Sequence, residues 1–169
     1  MSDPVIRPLQ PSDLDAALAL NNDNVPAVSP LDRDELERLV GLSSHALAAD
    51  LDGRFAAFCL VLPPGVDYAS VNYRWFTRSA AEHGLPGFAY LDRIAVAGWA
   101  RRRGVGRALY AHLVDVLRGH LPVLFCEVNV RPRNEASLAM HAAIGFREVG
   151  QQDTDGGKRV SLLALDLPA

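Results

Sequence analysis

An arginine-rich turn with two glycines, at residues 101–107, joins an apolar run to a helical pattern in the string AVAGWARRRGVGRAL. The first N–H groups of a helix have no internal partner, and the helix dipole adds partial positive charge at that end. Gly104 and Gly106 allow the backbone to approach a ligand closely, and the guanidinium groups of the turn offer charge-assisted hydrogen bonds. The turn is therefore predicted to bind a phosphate group, with a solvated basic surface as the alternative. It lacks both the P-loop pattern and the third glycine of the dinucleotide fingerprint.

The elements that must position this turn follow the order β, α, α, β, β, β, α, β, α, β, β, which predicts a mixed α/β fold with about seven strands and about four helices. Asp52-Gly53 and the segment 155–157 each separate two strand-like runs and predict hairpins. Asn134 and Gly145 are expected to begin and end a helix. Residues 63–87 show no clear period and are predicted to form a long loop.

Composition limits the class of protein. With 169 residues, 49% of them hydrophobic, residues 1–169 can form one domain with a full core. A net charge of -3 argues against a general nucleic-acid binder, and the presence of only two cysteines, Cys59 and Cys126, argues against a disulfide scaffold or a four-ligand zinc site. The histidines show no joint metal-ligand spacing. We expect a soluble, cytoplasmic protein with no metal, no nucleic-acid partner and no membrane span, since no apolar run approaches about 20 residues.

The string AVAGWARRRGVGRAL resembles the acyl-CoA-binding signature of the GCN5-related N-acetyltransferase (GNAT) family. That signature places Gln or Arg, two residues, Gly, one residue, and Gly or Ala at the start of a helix, and residues 101–106 match every fixed position. Gly98 stands where many members carry proline. A second family block is similar to NEASLAMHAAIGF, where an Asn opens a helix and Gly-Phe ends it. The resemblance covers residues 91–146.

This resemblance implies a GNAT-like fold with a splayed pair of parallel strands, at residues 88–96 and 122–130, and acetyl-CoA as the co-substrate. Pantetheine is expected along the backbone of the first of these strands, and pyrophosphate on the amides that open the next helix. Two residues of the second block are expected to face CoA. The implied cofactor-binding residues are Ile94, Ala95, Val96, Arg101, Arg102, Arg103, Gly104, Val105, Gly106, Arg107, Asn134 and Ser137.

Two carboxylates that interrupt apolar strands are candidates to accept the proton of an attacking amine. Glu127 is the first, because some family members use a glutamate on this strand; the alternative is a structural carboxylate paired with Arg131, Arg133 or a helix end. Asp92 is the second candidate, although a surface salt bridge with the neighbouring Arg93 is favoured.

His141 occupies the position, seven residues after Asn134, where many family members carry a tyrosine that protonates the departing thiolate. An imidazolium could donate that proton or bind the sulfur. The alternative is a core or CoA-packing histidine. Ser137 lies one turn earlier, but no nucleophile elbow surrounds it, so a covalent serine mechanism is rejected.

The expected function is direct acetyl transfer from acetyl-CoA to a primary amine of an unidentified small molecule or protein. A non-catalytic, acyl-CoA-binding regulatory module is the alternative, and RNA binding by the arginine run is a weak third hypothesis. The acceptor is expected to contact residues of segments 21–32 and 68–76. The candidate substrate-binding residues are Asn24, Tyr68, Tyr73 and Trp75. A homodimer is left open.

Overall fold

Residues 2–169, as described by a computed structural model, contain seven strands and five α-helices. In chain order these are β1 (Val5–Pro8), α1 (Leu14–Asp23), α2 (Arg33–Leu42), β2 (His45–Leu51), β3 (Arg54–Leu62), α3 (Val71–Glu82), β4 (Ala89–Val96), α4 (Val105–Leu117), β5 (Val123–Arg131), α5 (Glu135–Ile144), β6 (Arg147–Thr154) and β7 (Lys158–Asp166). The mixed α/β class with seven strands is confirmed. The structure has one helix more than expected.

The strands form a mixed sheet in the order β1-β2-β3-β4-β5-β7-β6. β4 and β5 are parallel, with Ala89 opposite Leu124 and Tyr90 opposite Phe125. The pairs β1/β2, β2/β3, β5/β7 and β6/β7 are antiparallel. The predicted parallel strands agree with β4 and β5 to within one residue at each end.

The chain divides into two compact units, each built from separate segments. The first unit comprises the residues up to Leu62 together with Leu91–Val116, and the second comprises Pro63–Tyr90 and Leu117–Ala169. Large buried side chains fill both. Those of the first unit include Leu36, Leu51, Phe58, Leu60 and Leu109, and those of the second include Phe76, Tyr90, Leu124 and Leu162.

Turn chemistry fixes both predicted hairpins. Asp52 and Gly53 take φ values of 54° and 74°, the left-handed conformation that a two-residue turn needs, and Leu51 pairs with Arg54 across it. Gly156 and Gly157 are left-handed as well, and Thr154 pairs with Lys158. Both hairpins are therefore confirmed.

The long loop expected at residues 63–87 instead contains the helix α3. Ser70 begins the helix, since its hydroxyl accepts a hydrogen bond from the Tyr73 amide at 3.3 Å. Tyr73, Phe76 and Ala80 are buried at spacings of three and four residues, so a helical period is present. Charged and small residues separate these positions and hide the period in the sequence. Within residues 2–169, no helix is long and apolar enough to cross a membrane.

Candidate active site

The arginine and glycine turn opens α4 in the first unit, as the sequence predicts. Gly104 has φ +81° and Arg102 has φ +60°, so two left-handed residues reverse the chain just before the helix begins at Val105. Among the described residues other than Gly104 and its two chain neighbours, no heavy atom lies within 4 Å of the place where a Cβ on Gly104 would stand. The first amides of α4 have no acceptor within the helix. The turn therefore presents backbone donors beside open space, as binding of an anion requires.

Two of the arginine side chains in the turn bind protein groups within the first unit. Arg101 donates to Asn24 Oδ1 at 3.0 Å, and Arg103 donates to Asp52 Oδ2 at 2.7 Å. The hydroxyl of Ser2 and the guanidinium of Arg103 hold the pKa of Asp52 below its ordinary value. Arg102 and Arg107 are exposed. The predicted anion binding at this turn therefore falls more to the backbone than to Arg101 or Arg103.

Asn24, a candidate acceptor residue, caps the end of α1. Its side-chain amide donates to the Leu20 carbonyl at 2.8 Å, while its oxygen accepts from Arg101. Both ends of the side chain are thus engaged in the first unit. Contact between Asn24 and an acceptor stays a prediction.

The end of β4 carries the backbone expected to pair with pantetheine. Ala95 is buried, whereas Ile94 and Val96 are half-buried, which follows the alternation of a strand. Just beyond the strand, the Ala97 amide donates to the Ala56 carbonyl at 2.8 Å. The pantetheine contact itself stays a prediction.

Asp92 belongs to a buried ion pair in the first unit. Arg93 donates from Nε to Asp92 Oδ2 at 2.7 Å, and the two side chains are only 3% and 4% exposed. The guanidinium also donates to Asn21 Oδ1 at 2.9 Å and to the Ser29 carbonyl at 3.2 Å. The salt bridge is confirmed, but the surface position expected for it is wrong. Removing one partner would leave a buried charge unpaired, so Asp92 has a structural role as the counter-ion of Arg93. Its role as a proton acceptor stays a prediction.

Glu127, on β5 in the second unit, pairs with a tyrosine. The Tyr90 hydroxyl lies 2.8 Å from both Glu127 carboxylate oxygens, and Tyr90 is fully buried. The arginines considered as partners bind other groups: Arg131 binds the Gly157 carbonyl and Asp153, and Arg133 binds Glu135. Glu127 is thus a half-buried carboxylate with an ordered hydroxyl donor, and its role as a proton acceptor stays a prediction.

Sequence reasoning missed Tyr90. The signal lies in the strand register, since Tyr90 stands opposite Phe125 and Glu127 follows two residues later on the same face of β5. A long aromatic side chain on the neighbouring strand can reach that position. The register itself is not readable from either strand alone.

An aromatic cluster of the second unit holds the Tyr90 ring. Its centroid is 5.5 Å from that of Tyr73 and 5.7 Å from that of Phe76, and Phe76 stacks on Phe125 at 4.5 Å. The Tyr73 hydroxyl donates to the Pro63 carbonyl at 2.7 Å, and its ring is buried. Tyr73 is therefore a core residue, and the acceptor contact expected of it is wrong.

The other two aromatic candidates are more accessible. Tyr68 is half-buried and stacks on Tyr73 with centroids 5.8 Å apart. Trp75 is half-buried against β6, where a Cβ on Gly150 would lie 2.8 Å from its ring, and it lines a groove of about 580 Å³ within the second unit. Their contact with an acceptor stays a prediction.

α5 holds Asn134, Ser137 and His141 in one chain of hydrogen bonds. Asn134 Oδ1 accepts from the Ser137 amide at 3.2 Å, which confirms the predicted N-cap. His141 Nδ1 lies 2.7 Å from the Ser137 carbonyl and 3.3 Å from the Ser137 hydroxyl. A carbonyl only accepts, so Nδ1 carries the proton. Gly145, with φ 116°, ends the helix as expected.

The surroundings of His141 oppose the proton-donor role expected of it. The side chain is 3% exposed, and burial lowers its pKa, although the bond to the Ser137 carbonyl acts in the opposite sense. The neutral ring that results has its proton on Nδ1 and a lone pair on Nε2. Its edge-on contact with Phe146, at 5.2 Å between centroids, supports the packing alternative. The Ser137 amide bonds to Asn134 and its carbonyl to His141. Nothing in this arrangement indicates a nucleophilic serine.

The family follows from a comparison with known proteins. The model of the GNAT acetyltransferase family matches residues 15–146, which include the turn before α4, the Glu127 strand and α5. The chain belongs to the GNAT family of acetyltransferases. The family uses acetyl-CoA as its co-substrate. Within residues 2–169 there is no group of three or more His, Cys, Asp or Glu side chains able to hold a metal ion.

Individual relatives agree with this family. The [ribosomal protein bS18]-alanine N-acetyltransferase of Escherichia coli K12 is 37% identical over 86 residues, which cover 47% of this chain. The match spans 56% of that relative's length. The crystal structure of the E. coli ribosomal-protein-S18-alanine N-acetyltransferase has a TM-score of 0.74 at 24% identity, over 99% of this chain and 96% of that one. Ard1 from Thermoplasma volcanium has a TM-score of 0.78 at 14% identity, over 98% and 99%. These likenesses show the fold.

Proposed function

We propose that the protein transfers an acetyl group from acetyl-CoA directly to the α-amino group of a polypeptide, with Glu127 as the proton acceptor. The observation that carries this proposal is the Glu127 carboxylate, which interrupts the apolar strand β5 and is held by the Tyr90 hydroxyl at 2.8 Å. The acceptor class is suggested by the name of the bS18-alanine acetyltransferase relative.

The proposed reaction uses the Glu127 carboxylate as the proton acceptor and the turn of residues 101–107 as the binding site for the CoA phosphates. The neutral amine nitrogen attacks the thioester carbonyl carbon, the tetrahedral intermediate collapses, the C–S bond breaks, and the amide and the CoA thiolate separate. The amine proton passes to Glu127, and the thiolate takes a proton from water. The backbone of residues 102–107 binds the CoA phosphates. The charged side chains of this turn take no part in the chemical step.

An α-amino group suits a carboxylate base better than a lysine does. Its pKa of about 8 leaves roughly a tenth of it neutral at pH 7, whereas a lysine with a pKa near 10.4 is less than about 0.1% neutral. Glu127 then has only to receive the proton as the new C–N bond forms. No protonated His141 is needed in this scheme.

An amine panel assayed with acetyl-CoA tests the proposal. The matched pair is a peptide with a free N-terminal alanine and the same peptide with a blocked N-terminus and one internal lysine; a small diamine is the third substrate. We expect CoA thiol release and a 42 Da mass gain, the size of one acetyl group, on the free-alanine peptide at pH 7.5, where its amine is substantially neutral.

Other outcomes of the panel separate the alternatives. Acetylation of only the lysine peptide or the diamine would overturn the α-amino assignment and keep the transferase. Acetyl-CoA binding by calorimetry, without thiol release on any amine, would support the regulatory module instead.

A further inference from the structure

A buried tyrosine contacts the proposed proton acceptor, and the inference drawn from this contact rests on the proposed function. We infer that Tyr90 is a positioning residue for Glu127: its hydroxyl holds the carboxylate at the place where it receives the amine proton. Tyr90 lies on β4 and Glu127 lies on β5, 37 residues later in the chain. Neither the family signature nor the second family block includes Tyr90.

The geometry of the contact is that of an orienting hydrogen bond. One hydroxyl proton is shared between two carboxylate oxygens at equal distances of 2.8 Å, so the Tyr90 oxygen lies on the axis of the carboxylate. Movement of the carboxylate away from this hydroxyl would lengthen both contacts, so the hydrogen bond restrains the position of the group. An ionised carboxylate has about four lone-pair sites, and the Tyr90 hydroxyl uses only part of this acceptor capacity.

Tyr90 can orient Glu127 because its own ring is fixed. The ring is fully buried and packs between Tyr73 and Phe76 of α3, with interplanar angles of 62° and 46°. Aromatic pairs at these distances prefer edge-on or tilted arrangements, which set the direction of the phenol oxygen. The cluster therefore holds the hydroxyl in place without any contact with the reacting atoms.

Tyr90→Phe removes the hydroxyl and keeps the ring, and Tyr73→Phe is its matched control. Tyr73 is in the same cluster and has a buried hydroxyl, but that hydroxyl donates to the Pro63 carbonyl instead of Glu127. For Tyr90→Phe we expect a fall in kcat of roughly 10- to 100-fold, since small misplacement of a reacting group costs up to about 10² in rate. The KM for acetyl-CoA should not change. Tyr73→Phe should lower Tm to a comparable extent with kcat within about 3-fold of wild type.

A double-mutant cycle with Glu127→Gln decides whether the two residues act as one unit. If Tyr90 acts through Glu127, adding Tyr90→Phe to Glu127→Gln causes no further loss of kcat. Three results would overturn the inference: wild-type turnover of Tyr90→Phe, equal losses in Tyr90→Phe and Tyr73→Phe, or the same fold-loss in both Glu127 backgrounds. Wild-type turnover of Glu127→Gln would instead remove the proton-acceptor assignment itself, and the inference with it.

Discussion

The turn of residues 101–107 and the Tyr90–Glu127 pair differ in which part of the chain carries their chemistry. In the turn, backbone amides at the start of α4 and two left-handed residues form the proposed anion site, while Arg101 and Arg103 bind Asn24 and Asp52. In the pair, the backbone only supplies a strand, and two side chains do the rest. A substitution that changes the backbone conformation should disrupt the first kind of site, whereas replacing a single side-chain atom should disrupt the second.

The supports of the two sites differ in the same way. The turn needs the left-handed conformation at Gly104, which is a local property of a few residues. The Tyr90–Glu127 pair needs the aromatic cluster of α3, the register between β4 and β5, and a hydroxyl on the correct ring. Substitutions that distinguish the two sites follow from this contrast.

The largest effect is expected from Glu127→Gln, which disrupts the side-chain site by replacing one carboxylate oxygen with an NH2 group. Gln keeps an acceptor for the Tyr90 hydroxyl but cannot accept the amine proton, so kcat should fall about 10²- to 10⁴-fold. Acetyl-CoA affinity should be unchanged, because that affinity resides in the other site. Steady-state kinetics and calorimetry measure the two quantities separately.

Glu148→Gln is the matched control for this exchange. The Glu148 carboxylate also accepts from a hydroxyl in the second unit, that of Ser161, but lies on the edge strand β6. Its kcat should stay near the wild-type value. A purely structural Glu127 makes a different forecast, in which Glu127→Gln lowers Tm and the folded protein turns over normally.

The next largest effect is expected from Gly104→Glu, which breaks the backbone site. The substitution forces a side chain into a φ of +81° and places a carboxylate where phosphate should bind. The affinity for acetyl-CoA should fall by roughly 100-fold or more, because each charge-assisted hydrogen bond is worth about 1.5–3 kcal/mol. Calorimetric titration with acetyl-CoA measures this loss, and the increase in Tm on adding acetyl-CoA should disappear.

Gly65→Glu controls for backbone strain, since Gly65 has the same φ of +81° and also has open space around its Cβ position among the described residues. It should lower Tm without changing acetyl-CoA affinity. Arg103→Ala sharpens the contrast further, because its side chain binds Asp52 and its effect on affinity should be small. If Arg103→Ala lost as much acetyl-CoA affinity as Gly104→Glu, the arginine side chains rather than the backbone amides would be the main phosphate ligands.

The two sites were not equally predictable from the sequence. The turn was found because its residues are contiguous and its glycines have a local conformational meaning, as at Asp52-Gly53. The Tyr90–Glu127 contact depends on a parallel register between separate strands, which neither strand encodes alone. Burial of Arg93 depends likewise on Asn21 and Ser29, which lie 72 and 64 residues away.

The sequence pattern does not predict the helix α3, and the reason is different. Its buried face is narrow, and the first of its apolar positions follows a cap at Ser70 rather than a long apolar run. Because α3 supplies Tyr73 and Phe76 to the cluster around Tyr90, missing the helix also hid the support of the proton acceptor. The limits of the sequence prediction were therefore long-range register for the Tyr90–Glu127 pair and a hidden local period for α3.

The smallest effect on turnover is expected at His141, whose substitution tests where the side-chain site ends. Its ring donates from Nδ1 to the Ser137 carbonyl, and burial lowers its pKa. His141→Phe and His141→Tyr should therefore keep kcat within about 3-fold of wild type between pH 7 and 8, well short of the 10²- to 10⁴-fold loss typical of a general acid. A loss of that size in His141→Phe but not in His141→Tyr would restore the proton-donor role.

The same substitution should change how stability depends on pH. The unfolded chain protonates a histidine near pH 6.5, whereas folded His141 protonates only at lower pH, so the unfolded state binds more protons in this window. The stability of wild type should then fall as pH drops below about 6.5, and His141→Phe should flatten that fall, with about 2–4 °C of Tm for each 1 kcal/mol. His45, whose pKa is lowered by burial and by His112, contributes to the slope in both proteins. Melting curves at pH 7.5 and 5.5 give the comparison. Equal Tm differences in wild type and His141→Phe would mean that His141 has the same pKa in the folded and unfolded states, and a smaller fall in wild type than in His141→Phe would mean that folding raises its pKa, as a proton donor to the thiolate requires.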